Sequence, residues 1–95
     1  QYFIHARYIR PEQVDCLYVA ARLAAARHEY PRAAVLFGLA RRLRQELRHR
    51  LDAPLRPQVA AALAAVRCAL SPPAFNEAFR RGERRPLEEA LAVLV

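Results

Sequence analysis

Apolar residues recur along this chain at intervals of three and four, the spacing of one helix face, and nowhere alternate over a strand's length. Leu17, Ala20, Ala21 and Ala24 make one stripe, and Ala33, Leu36, Phe37, Ala40, Leu43, Leu47 and Leu51 make another. Between them His28-Glu29-Tyr30-Pro31 breaks the pattern, because the residue before a proline is pushed out of helical geometry. The spacing predicts helices over about 11–28 and 31–51, folded back on one another as an antiparallel hairpin. Pro11 suits the first turn, where its missing N–H costs nothing, and Glu12 and Asp15 complement the positive helix end. Small alanines let the two helices approach closely, and the Phe37 ring is predicted to fill the gap against residues 20–24.

Downstream, Asp52-Ala53-Pro54-Leu55-Arg56-Pro57 reads as a loop, with Pro57 opening a third helix that buries Val59, Ala62, Leu63, Val66 and Leu70. Ser71 is predicted to cap a short fourth helix with Phe75, Ala78 and Phe79 inward and Gly82 as its stop. Pro86 is expected to start a last helix, with Glu88 and Glu89 in its first turn and Leu87, Ala90, Leu91 and Leu94 buried. Residues 1–10 are too apolar for a flexible tail and are predicted to form a packing arm. The expected fold class is therefore all-α: an antiparallel helical hairpin followed by three further helices, about five in all. It forms a single domain over 1–95, divided into an arm (1–10), the hairpin (11–51) and C-terminal capping helices (57–95).

Charge changes the picture more than length does. Sixteen arginines and no lysine stand against nine acidic residues, a net charge of +7. Long-range attraction then favours acidic proteins, nucleic acid or anionic surfaces as partners, although a solvated face alone would explain it. The Ala, Leu, Arg and Pro bias also suggests a GC-rich coding sequence, so the preference for arginine need not be functional. Cys16 and Cys68 have neither C-x-x-C spacing nor clustered histidines and are expected to be buried free thiols, not a disulfide or metal site. That usage points to the cytoplasm. No apolar run reaches membrane-spanning length, since Arg22 and Arg27 interrupt the alanine-rich segment, and no signal peptide is visible. The chain begins with Gln1, so a piece of a longer protein is one reading.

The small–large–small stripes about the break at 28–31 resemble a tetratricopeptide (TPR) hairpin, although His28 and Glu29 stand where such turns often carry glycine. The later motifs extend the likeness. Arg67, Ala69 and Leu70, then Phe75, Ala78, Phe79 and Gly82, then Leu87, Glu88, Glu89 and Ala90 are similar to the C-terminal TPR-like segment of bacterial signal-transducing ATPases of the LuxR-type and adenylate-cyclase-linked regulators. The likeness covers about 17–92. Ser71-Pro72-Pro73 and Pro86 depart from the family pattern but suit helix starts. The resemblance implies a non-catalytic protein–protein interaction or sensing module, the C-terminal part of a larger regulator. Its partner would be a protein or peptide, upstream domains of the same regulator included. In TPR proteins the stripe corresponding to Asp15, Tyr18 and Arg22 lines the concave groove. Tyr18 and Arg22, four apart, would offer an aromatic surface and a forked cation to a peptide carboxylate. The plainer alternative is a solvated Arg22 and a Tyr18 packed on the arm.

Catalytic chemistry has no visible constellation. His5, His28 and His49 lie in three different segments, Ser71 is flanked by prolines, and no phosphate-binding glycine loop exists. No enzyme activity, cofactor or metal is expected. The competing reading is a small basic nucleic-acid-binding domain, with Arg41, Arg44 and Arg48 on one stripe and Arg80, Arg81, Arg84 and Arg85 at a turn. Weak, non-specific nucleic-acid binding fits either reading, and pure capping of a longer helical stack is a third.

Overall fold

The computed structural model describes residues 10–85. They form four α-helices: α1 (Pro11–Ala26), α2 (Tyr30–Leu47), α3 (Leu55–Ala69) and α4 (Pro72–Glu83). No strand occurs among the described residues, so the all-α expectation holds there. The arm, apart from Arg10, and the helix expected from Pro86 lie outside the described residues.

Local chemistry sets the helix ends. At the start of α1 the Gln13 Oε1 accepts a hydrogen bond from the Arg10 backbone N–H at 2.7 Å, satisfying one donor at that terminus. Its other end is tied twice. Glu29 N–H donates to the Ala24 carbonyl at 2.9 Å and His28 N–H to that of Ala25 at 3.0 Å. This is the paired bonding of a Schellman motif, which requires a left-handed residue, and His28 takes that place at φ 63°. The same motif ends α2. His49 N–H bonds the Arg44 carbonyl at 3.0 Å, Arg48 N–H bonds that of Gln45 at 3.1 Å, and Arg48 has φ 54°. Helix α2 therefore stops at Leu47, four residues before the expected 51. Its apolar periodicity runs on because Leu51 packs against the core from the loop.

Helix α3 starts two residues before Pro57, since the Leu55 and Arg56 N–H groups both bond the Asp52 carbonyl, at 2.9 and 3.2 Å. Ser71 caps α4 as expected, its Oγ accepting from Ala74 N–H at 3.3 Å. Gly82, expected as the stop of α4, lies inside it and is buried.

Helix α2 is central. Every residue from 33 to 40 is buried, because α1 packs along one side and α4 crosses another. The start of α1 lies beside the end of α2, where His49 Nε2 sits 3.0 Å from Asp15 Oδ1, so the two helices run antiparallel. Phe37 is buried as expected, and the Tyr18 ring is its tilted neighbour at 6.2 Å. Helix α1 buries Val14, Leu17, Tyr18, Ala21, Ala24 and Ala25, a wider stripe than predicted, because it also contacts α3. Tyr18, expected to line a groove, is a core residue, and Ala20, expected on the inward stripe, is only half-buried.

Both glycines lie at the crossing of α2 and α4. Gly38 faces the Phe79 backbone and Gly82 the backbone of Val35 and Leu39. Cys16 and Cys68 are exposed, not buried, because each lies on the side of its helix turned from the core. No helix among the described residues is long and apolar enough to cross a membrane.

Candidate interaction surface

Among the described residues, the two large apolar side chains that stand out from the core do so together. Val19 is 49 % and Leu23 52 % exposed, and their spacing of four stacks them one turn apart on the outer face of α1. They line an open groove between α1 and α3, about 650 Å³ in volume. Gln58, Ala61 and Ala65 line it from α3, and among the described residues Arg22 is its only charged lining residue. Alanine carries nothing beyond Cβ, so α3 leaves space where larger residues would close the gap. The groove is mostly apolar, with one cation and one amide along it.

The structure separates the three residues nominated from sequence. Arg22 lines this groove. Asp15 is turned to His49 at the far end of the hairpin. Tyr18 is 4 % exposed, its hydroxyl accepting a hydrogen bond from Arg44 Nε at 3.1 Å. Four-residue spacing aligned Tyr18 and Arg22 along α1, but the wider buried stripe draws the ring inward.

Several of the arginines hold the fold together. Arg41 pairs with Glu83 at 3.3 Å and lies over the Phe79 ring at 5.9 Å. Arg42 donates to the Glu83 carbonyl at 3.0 Å, capping the end of α4. Arg67 lies over the Phe75 ring at 4.9 Å. The expected cationic stripe of Arg41, Arg44 and Arg48 is thus spent largely on helix-to-helix contacts. Arg80, Arg81 and Arg84 remain exposed at the end of α4.

His28 stacks on Tyr30 with ring centres 5.6 Å apart, away from the His49–Asp15 pair. Among the described residues no group of three His, Cys, Asp or Glu side chains could hold a metal ion. Sequence reasoning missed Val19, Leu23 and the alanines of α3. The available signal was that α1 is apolar outside its inward stripe as well as along it. No known family model, curated protein or solved structure matches the chain.

Proposed function

We propose that this chain is a non-catalytic, TPR-like protein-interaction module, the C-terminal part of a larger bacterial signalling or transcriptional regulator. The observation that carries the binding role is the open apolar groove bearing Val19 and Leu23, since solvent-exposed apolar surface of this kind marks partner sites. The TPR-like reading draws support from the antiparallel pair α1 and α2, which buries Ala21, Ala24, Ala33 and Ala40 in the same core as Phe37. Stacked hairpins build concave surfaces of this sort.

The occupant is an acidic amphipathic helix. Its apolar side chains sit on Val19 and Leu23, and a carboxylate meets Arg22, with the +7 charge accelerating encounter. A fluorescein-labelled helical peptide with leucines at helical spacing and glutamates on its flanks tests this by anisotropy. Leu23→Asp should weaken binding about tenfold or more, and Arg22→Gln should reduce the preference over a lysine-flanked twin. Equal binding by the wild type and a folded Leu23→Asp variant would overturn the proposal. The alternative of nucleic-acid binding draws on one observation, the exposed arginines at the end of α4.

A further inference from the structure

A second concave site, sharing no lining residue with the α1/α3 groove, lies where α1, α2, α3 and α4 meet around Tyr18. It is a cavity of about 280 Å³ with an aromatic wall of Tyr18, Phe37 and Phe79 and a rim of Arg41, Arg44 and Arg56. It adjoins a second hollow of about 360 Å³, which shares Arg44, Leu51 and Arg56 and adds Arg50. One hollow is mostly apolar, and three of the four residues lining the other are arginines.

Most of these charges are unpaired. Arg41 has Glu83, but among the described residues Arg44, Arg50 and Arg56 have no carboxylate within 4 Å. Two of the three are held in place through Nε alone. Arg44 Nε donates to the Tyr18 hydroxyl at 3.1 Å, and Arg56 Nε to the Leu51 carbonyl at 3.0 Å. A guanidinium has five N–H donors, so each keeps its terminal nitrogens for a further acceptor. Like charges gathered without a counter-ion repel, and an oxyanion between them would relieve that repulsion through charge-assisted hydrogen bonds.

We propose that this composite site binds a small amphipathic oxyanion: a flat apolar body against the aromatic wall, with a carboxylate or phosphate among Arg44, Arg50 and Arg56. The volume of the apolar hollow limits the body to about the size of one or two fused rings, near the lower limit of small-molecule sites. Such a ligand would make the module a sensor as well as an interaction surface. The assignment does not depend on the groove, and either can fail alone.

The test is calorimetric titration of the full chain with four probes: 1-naphthaleneacetate, 1-naphthyl phosphate, the neutral 1-naphthaleneacetamide and inorganic phosphate. At least one naphthyl anion should bind about tenfold or more tightly than the amide, the effect of a charge-assisted hydrogen bond. Whichever anion binds more tightly identifies the headgroup. Inorganic phosphate should bind more weakly than naphthyl phosphate. Arg50→Gln, at an exposed position outside the core, should weaken the favoured anion about tenfold and leave the amide unchanged. Arg44→Met should do the same, while also removing the Tyr18 bond. Equal affinity for anion and amide, inorganic phosphate as tight as naphthyl phosphate, or indifference to Arg50→Gln would each overturn the proposal.

Discussion

Replacing Gly82 with alanine sets two effects of known sign against each other. Alanine is the better helix former by about 1 kcal/mol, so on an isolated helix the change would stabilise. Gly82 is not isolated. A methyl group there would overlap the Val35 carbonyl oxygen, 2.8 Å from its carbon and 3.0 Å from Leu39 N. The obstacle is backbone inside a helix, which has no rotamer to change. Carbon atoms pack best at about 3.5–4.0 Å, so α4 must retreat from α2 by roughly 1 Å. Overpacking of this kind costs about 1–3 kcal/mol. Retreat also loosens Phe75 and Ala78, which α4 contributes to the core. The net expectation for Gly82→Ala is a loss of about 2 kcal/mol, a large share of a small domain's stability. Gly38→Ala meets the Phe79 backbone in the same way, with carbons at 2.9 and 3.2 Å, and should behave alike. Urea denaturation followed by helical circular dichroism measures both. A variant as stable as the wild type, or more stable, would refute the close crossing of α2 and α4.

The remaining predictions concern the helix ends, the core and the charge. His28→Gly and Arg48→Gly each place the residue that tolerates left-handed geometry where a side chain is strained, and should each stabilise by about 0.5–1 kcal/mol in the same assay. Phe37→Ala should cost about 3–5 kcal/mol, and a loss under about 1 kcal/mol would contradict its place in the core. Duplex DNA should bind weakly, with steep salt dependence and no discrimination between unrelated sequences at physiological salt; strong discrimination there would favour the nucleic-acid reading.

What the sequence revealed follows from which interactions are local. The Ser71 cap and the Pro11 start depend on residues within one turn, and periodicity placed both hairpin helices. Periodicity could not show that α1 is contacted from two sides, so Tyr18 was placed outside the core. It could not show the α2 stop either, because Leu51 keeps the helical spacing while belonging to a loop. Left-handed His28 and Arg48 hid both helix ends, since glycine is the usual marker. Gly82 gave a false one, because it serves a crossing with Val35 and Leu39 of α2, which are remote from it in sequence. The candidate surface was half legible: Arg22 was nominated, but the alanines of α3 that make its groove gave no local signal. Arg44 was noticed only as part of a stripe, since its convergence with Arg50 and Arg56 requires the turn after α2.

The central claim is that the groove between α1 and α3 is the partner surface. Amide and methyl chemical-shift mapping of the full chain, titrated with the acidic amphipathic peptide, tests it most directly. The account predicts that the largest shifts fall on Val19, Arg22, Leu23, Ala61 and Ala65, and that Leu23→Asp removes them. Shifts centred on Arg80, Arg81 and Arg84, with Val19 and Leu23 unmoved, would contradict it.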